Sequence, residues 1–463
     1  MLGRTRAVHC IGVGGSGMSA IAEVLLHEGL RVSGSDAAPS EVTARLATLG
    51  LEFHAGHAAA HVGDVDAVVV SSAIRRTNPE VVEARRRGLP IVARADMLAA
   101  LMRPRFGIAI AGAHGKTTTT SMVALMLERA GLDPTAVIGG RLPAFGSNAR
   151  VGRGETFVAE ADESDRSFLR LDPAIAVITN IDREHLDAYA GFDDLVSSFA
   201  AFANQVPFYG SAILGVDDQH VRDMAPQVTA RTVTFGIDNG DADVRATDVT
   251  LAAGGSHFGV ERKTDGSPAR LGSVQLHVPG RHNVENALAA IAVGLELDLE
   301  LSKMRPGLEA FHGAERRFEL KGEVNGIRVV DDYGHHPTEV AAVIAAARAG
   351  HAGRVIVVFQ PHRYTRTSQL GGEFASALSA ADVVVLTDIY AAGEDPLPGV
   401  AIEQLAAAAK HAAPGRVELV KALTDVPAAV ARLARAGDLV ITMGAGSIGH
   451  AGPAILEELA RCR

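Results

Sequence analysis

Gly112-Ala113-His114-Gly115-Lys116-Thr117 brings two glycines, an ammonium and a hydroxyl together directly after an apolar run. A loop of this kind aims backbone N–H groups at the phosphates of a nucleoside triphosphate, with Lys116 neutralising charge and Thr117 reaching Mg²⁺. The full Walker pattern would have glycine at position 110, which here is Ile110. A Gly-Lys-Thr helix start with no ligand is the plainer reading. A second loop, Gly12-Val13-Gly14-Gly15-Ser16-Gly17, fits G-x-G-x-x-G, and Asp36 ends the following apolar run, where an acid could bind a ribose hydroxyl. By itself that pattern points first to NAD, with another diphosphate nucleotide or a ligand-free turn as alternatives. Two phosphate loops imply two phosphorylated ligands, which weighs against a simple dehydrogenase.

Four further constellations carry charge. Glu160-Ala161-Asp162-Glu163-Ser164-Asp165 follows an apolar run, where carboxylates can hold Mg²⁺ against ATP; a solvated acidic turn is the alternative. Thr179-Asn180-Ile181-Asp182-Arg183-Glu184-His185 follows the next run and offers His185 as a second metal ligand, although such a histidine is more often structural. Asp331-Asp332-Tyr333-Gly334-His335-His336-Pro337 and Gln360-Pro361-His362-Arg363-Tyr364-Thr365-Arg366 supply acids, imidazoles and two arginines able to grip a carboxylate or phosphate. Salt-bridged loop residues would look the same. His54, His57 and His61 have the spacing of one helical face, but Gly56 and the surrounding alanines favour a loop entering a helix over a metal site. Gly444-Ala445-Gly446-Ser447 reads as a structural turn.

The elements that must position these residues alternate between strands and helices. Strands are predicted at Ala7–Val13, Leu30–Ser33, Val65–Val70 and Leu89–Ala93, with a helix over Met18–His27. Arg103-Pro104-Arg105 marks a boundary near residue 104. The pattern restarts with strand Phe106–Ala111, helix Thr117–Ala130, strands Thr156–Ala159 and Ala174–Ile178, and a mostly helical Asp182–Phe202. A β-rich insertion over Val233–Gly280 precedes a helix at Arg281–Leu295. Strands at Arg328–Val330, Val355–Phe359, Val383–Thr387 and Leu439–Thr442 complete a third block starting near Phe311. The expected fold class is α/β, with three consecutive α/β domains. The first (1–103) and third (311–463) are Rossmann-like; the central one (104–310) is a P-loop ATPase with a parallel sheet and a small β-rich insertion.

Composition narrows the class. In 463 residues, 44 Lys+Arg face 54 Asp+Glu, and a net charge of −10 argues against a general nucleic-acid binder. Hydrophobic residues at 47% exclude a disordered chain. Two cysteines, Cys10 and Cys462, fit a reducing cytoplasm. The amino-terminal MLGRTRAVHCIGVGG runs straight into a strand, without the apolar core of a signal peptide, and no apolar run is long enough for membrane insertion. No coiled-coil seam or exposed apolar stripe stands out to fix an oligomeric state, and a monomer or homodimer is expected.

Eight strings in order give the chain a resemblance to the Mur ligases of bacterial cell-wall synthesis: GVGGSGMSAIAEVL with GSD, AGAHGKTTTTSM, EADESDRSFL, TNIDREHLD, GRHNVENALAA, FHGAERRFE, DDYGHHPTEV and FQPHRYTRT. The resemblance covers nearly the whole length and is strongest to the member that joins L-alanine to UDP-N-acetylmuramate through an ATP-derived acyl phosphate. It implies ATP and Mg²⁺ as cofactors. It also moves the first loop from NAD to the UDP diphosphate, with Gly14, Gly15, Ser16, Gly17, Met18 and Asp36 as sugar-nucleotide residues. ATP would meet Gly112, Ala113, His114, Gly115, Lys116, Thr117 and Thr118, with Asn283 and Asn286 near adenine and Arg317 and Asp332 over the phosphates and ribose. Thr117, Glu160 and His185 would hold metal. His335, Arg363 and Arg366 would handle the alanine. Lys116, His185, His335 and Arg366 are therefore the expected catalytic set, and the third domain is expected to close onto the second. The family's usual loop resembles GTHGKT, so Ala113 removes one hydroxyl beside the phosphates. Later members use a carbamylated lysine, and the stretch after His185 offers none. Three rival functions remain: a recycling ligase adding a preformed tripeptide, a nicotinamide-dependent oxidoreductase using the first loop, and a nucleotide-gated binding protein without ligase activity.

Overall fold

The computed structural model describes residues 3–71, 73–252, 254–264, 266–413 and 416–461; Cys462 lies outside them. The chain divides into two compact units. One comprises Met1–Thr247, Gly259–Val274 and Glu285–Phe311; the other comprises Asp248–Phe258, Gln275–Val284 and His312–Arg463.

The first unit opens with a five-stranded parallel sheet in the order Glu52–Ala55, Arg31–Asp36, Ala7–Ile11, Ala67–Val70, Ile91–Ala93. The order reverses beside Ala7–Ile11, so the loop starting at Gly12 emerges at the switch point, where ligands bind in doubly wound sheets. That strand is buried throughout and ends at Ile11, two residues before the predicted end, because Gly12 turns away at φ 78°.

A ten-stranded sheet follows. Its middle runs Ser211–Gly215, Ile175–Ile178, Phe106–Ala111, Thr156–Glu160, Thr135–Leu142, all parallel, with Ser147–Arg150 antiparallel at the edge. Phe106–Ala111 thus lies between the strands that deliver Glu160 and Thr179. All three loops open at the carboxyl edge. The predicted β-rich segment holds Thr232–Gly236, Val244–Ala252, Gly255–Thr264 and Ser267–Leu276. One continuous core, from Val8 and Met97 to Phe157, Phe168 and Phe202, packs these first two sheets.

Asp182–Phe202 departs from expectation. Only Phe192–Ala203 is α-helical, and Leu186–Ala188 is a single 3₁₀ turn. The preceding residues are held by the phosphate loop instead of by a helical ladder, and His185 takes a left-handed φ of 54°.

The second unit carries a six-stranded sheet ordered Glu319–Val324, Ile327–Asp332, Leu439–Met443, Val355–Phe359, Val383–Leu386, Val417–Leu419. Only Glu319–Val324 runs antiparallel. Its inner strands are apolar runs such as VIVVF, buried on both faces by helices. Among the described residues no helix is long and apolar enough to cross a membrane.

Candidate active site

The first glycine loop is shaped by the neighbouring strand. Ser35 O accepts from Gly12 N (2.8 Å) and Val13 N (3.0 Å), and Asp36 Oδ2 accepts from Gly14 N (2.8 Å). A Cβ at Gly14 would stand 2.9 Å from that same oxygen, and a side chain at Gly17 would collide with Arg94. Asp36, expected on a ribose, thus already accepts from two backbone amides, the other being Ala37 N at 2.7 Å. Gly15 begins the helix Ser16–His27 with no side-chain cap, so the first-turn amides face the loop. Met18 is only 2% exposed and its side chain belongs to the apolar core, which limits it to a backbone contribution.

The second loop leaves Ala111 through Gly112 and enters the helix Lys116–Arg129 through Gly115, whose φ of 83° is left-handed. A side chain at Gly115 would strike Asn286, and Thr119 Oγ1 donates to Asn286 Oδ1 at 3.1 Å. Asn286 therefore buttresses the loop from below. The strand carrying Thr179 fixes its crest. Asn180 Oδ1 accepts from His114 N (2.8 Å), Thr179 Oγ1 donates to His114 O (2.7 Å), and His114 Nε2 lies 2.9 Å from Asp182 Oδ2. Ala113 and Thr118 are buried, at 8% and 7% exposure.

Lys116 folds back over its own loop. Its Nζ donates to Gly112 O (2.6 Å), Ala113 O (3.2 Å) and Glu163 Oε1 (2.7 Å). Burial opposes charge on this ammonium, but the carboxylates of Glu163, Glu160 and Asp162 outweigh it and hold the lysine above its ordinary value. Burial also pushes the Glu163 carboxyl up to about 7, against the pull of Lys116. Next along the helix, Thr117 Oγ1 reaches Glu160 Oε2 (3.0 Å) and Oε1 (3.2 Å), while Gly139 N donates to Glu160 Oε2 (2.8 Å). A hydroxyl and a carboxylate converging beside a phosphate loop are the hard oxygen donors Mg²⁺ takes. His185 stands at the left-handed turn before Leu186–Ala188, 4.0 Å from Glu184.

In the second unit, Asp332 is buried and accepts from Phe318 N (2.8 Å) and Gly334 N (2.7 Å). Burial raises its carboxyl to about 6, against the opposing charge of Arg317. Arg317 lies 3.5 Å from Glu339, whose Oε2 also accepts from His335 N at 2.9 Å. Asn283 donates to Pro279 O (2.7 Å). The rings of His335 and His362 meet edge-on at 5.7 Å, and His362 stacks on Tyr390. Arg366, only 9% exposed, lies 3.3 Å from His362 Nδ1, and Arg363 approaches Glu394 at 4.0 Å. Burial, then His335 and the two arginines, push His362 down to about 3, so it stays neutral. Two guanidinium groups near a neutral imidazole suit a site for a small carboxylate.

Sequence reasoning did not single out Glu163, Arg94 or Glu339. Glu163 was inside a named motif, but its pairing with Lys116 depends on how the strand end turns. Arg94 Nη2 sits 3.1 Å from Asp162 while its guanidinium lies against Gly17, touching both phosphate-loop neighbourhoods. Nothing local in the sequence marks it.

Three family models match in succession: "Mur ligase family, catalytic domain" over residues 7–106, "Mur ligase middle domain" over 110–294, and "Mur ligase, glutamate ligase domain" over 316–446. A curated UDP-N-acetylmuramate–L-alanine ligase from Geotalea daltonii is 51% identical over 459 residues, covering 99% of both chains. One of the same name from Geobacter sulfurreducens is 50% identical over 465 residues, covering 100% of both. Among solved structures, a UDP-N-acetylmuramate–alanine ligase from Thermotoga maritima superposes with a TM-score of 0.82 at 29% identity, covering 99% of this chain and 100% of its own. A murein peptide ligase from Psychrobacter arcticus gives 0.71 at 26% identity, covering 98% and 99%. The successive domain matches and the full-length identity agree with the phosphate loop and its converging carboxylates: this chain belongs to the Mur ligase family.

Proposed function

We propose that the protein joins L-alanine to the lactyl carboxylate of UDP-N-acetylmuramate, consuming ATP and releasing ADP and phosphate. The observation that carries this is the convergence of Lys116, Thr117 and Glu160 on one phosphate loop, in a chain half identical over its whole length to ligases of that name. A free carboxylate is a poor electrophile; transfer of the γ-phosphoryl group onto it gives an acyl phosphate that an amine can attack, with phosphate leaving.

Each residue group has a part in this. Residues 1–103 bind the sugar nucleotide at the amides of Ser16 and Gly17, with Gly14, Gly15, Met18 and Asp36 shaping the loop, since Gly14 N is bonded to Asp36 and Gly15 N to Gly12 O. Residues 104–310 bind ATP on Gly112–Thr118, where Lys116 exchanges Glu163 for phosphate oxygens and its charge stabilises the moving phosphoryl group. Thr117 and Glu160 would hold one Mg²⁺ and His185 a second, and these ions would supply positive charge against the phosphates. Asn286 supports the phosphate loop, and Asn283, on the same helix Arg281–Glu296, lies toward the adenine. In residues 311–463, Arg317 and Asp332 serve the nucleotide. Arg363 and Arg366 grip the alanine carboxylate, and His335 orients its amine. A cytoplasmic setting accords with the two-cysteine composition.

Phosphate release from Mg²⁺-ATP and UDP-N-acetylmuramate tests the reading, with L-alanine, glycine, L-serine or the murein tripeptide added separately. Sugar-nucleotide-dependent release that is fastest with L-alanine supports it. Preference for the tripeptide transfers the protein to the recycling reaction.

A further inference from the structure

The three histidines whose spacing mimicked a helical face do not form one. His54 sits in the strand Glu52–Ala55, His57 in the following loop, and His61 closes the 3₁₀ turn Ala59–His61. His57 and His61, with His9, gather around one carboxylate, and His54 packs on His61. Glu80 has no exposed surface; its Oε2 accepts from Ser35 Oγ (2.7 Å) and meets His57 Nδ1 (3.0 Å), and its Oε1 meets His61 Nδ1 (3.0 Å). His9 Nε2 stands 3.7 Å from Oε1, and its Nδ1 bonds Ser33 Oγ at 2.8 Å. His54 stacks on His61 at 4.6 Å and lies 3.5 Å from Glu52.

Glu80 is held from behind as well. It occupies the first turn of the helix Pro79–Arg86, where Asn78 caps its N–H at 2.9 Å and the positive helix end favours a carboxylate. Burial works to raise this carboxyl, but the His9 ring 3.7 Å away and the hydrogen bonds with Ser35 and His57 overcome it and hold it down at about 2. The buried carboxylate is bonded to Ser35 Oγ. The carbonyl of that same residue accepts the amides of Gly12 and Val13, and the next residue, Asp36, accepts Gly14 N. The path from Glu80 to the diphosphate loop is two hydrogen bonds long.

We propose that Glu80 is a positioning residue for the sugar-nucleotide loop, acting through Ser35. This rests on the functional reading above. It adds a residue outside the loop, on another helix, that sets the loop's geometry. A merely structural Glu80 would cost stability and lower the active fraction without changing affinity for one substrate.

The test compares wild type, Glu80→Gln, Ser35→Ala and the double variant, by steady-state phosphate release and by direct calorimetric binding of UDP. The expected result for Glu80→Gln is a KM for UDP-N-acetylmuramate raised roughly tenfold, with kcat and the ATP KM within about twofold. Ser35→Ala should move the same constant in the same direction. The double variant should be no worse than the larger single effect, because both cut one link. An unchanged sugar-nucleotide KM and UDP affinity in Glu80→Gln overturns the proposal, as do additive effects in the double variant. Should Glu80→Gln fail to fold, Ser35→Ala carries the same comparison. If wild type binds UDP but does not turn over UDP-N-acetylmuramate, the functional reading fails, and UDP affinity across the variants still decides this inference.

Discussion

Replacing Lys116 by methionine separates chemistry from folding. The ammonium makes three bonds, one to a carboxylate that is 2% exposed and whose second oxygen, Oε2, has no hydrogen-bond partner among the described residues. Removing it takes away the charge that meets the γ-phosphate, which should cut turnover by about 10²–10⁴-fold. It also leaves Glu163 without its cation. That carboxyl is already raised from 4.5 to about 7 by burial, with Lys116 pulling it back. Freed of that restraint, it keeps its proton in the folded variant through neutral pH and ionises near 4.5 only on unfolding. The folded state then holds a proton that the unfolded state releases. Stability is therefore intact in acid and falls as pH rises, by about 1.4 kcal/mol per unit. From pH 4.5 to 7 the loss reaches about 3 kcal/mol. Urea denaturation across that range should show this slope in Lys116→Met. Lys116→Met/Glu163→Gln should lose the slope, recover stability at neutral pH and stay inactive. A variant whose stability does not change with pH would refute the burial-raised Glu163 carboxyl. Phosphate release within tenfold of wild type would refute the lysine's role.

Three further outcomes are expected. Gly115→Ala forces a Cβ into a left-handed residue and against Asn286, and should cost about 1–3 kcal/mol in thermal or urea unfolding and weaken ATP binding. Glu160→Gln removes a charged oxygen beside Thr117 while keeping its shape, so the Mg²⁺ concentration for half-maximal rate should rise at least about tenfold, read by metal titration. Arg366→Ala should raise the L-alanine KM by about 10²-fold and leave sugar-nucleotide binding unchanged; an unaltered alanine KM removes it from the site.

The parallel sheets were legible because both of their faces are covered. Runs such as Phe106–Ala111 and Val355–Phe359 are apolar at nearly every position, and each ends just before the glycine or polar residue that opens a loop of the candidate site. Amphipathic or edge strands were not visible in that way. Ser147–Arg150 reads as polar, yet three of its four residues are buried, with Ser147 bonded to Glu23 and Asn148 to Ser19. The stretch after Asn180 was misread as helix for a related reason. Its composition suits one, but Asp182 is committed to His114, and a local pattern cannot register a partner 68 residues away. The Glu80 cluster was equally hidden. The histidine spacing was visible, while the acid they converge on lies in another helix.

The first glycine loop holds its shape through bonds internal to the protein, before any nucleotide arrives. A ligand settling there does not have to order the backbone, so little of its binding free energy goes into conformational entropy. Small fragments gain most from such a surface. UDP alone, or a diphosphate surrogate without the sugar, should keep a large share of the affinity per atom of the complete substrate. By the same logic, inhibitors grown from this loop can start small and rigid.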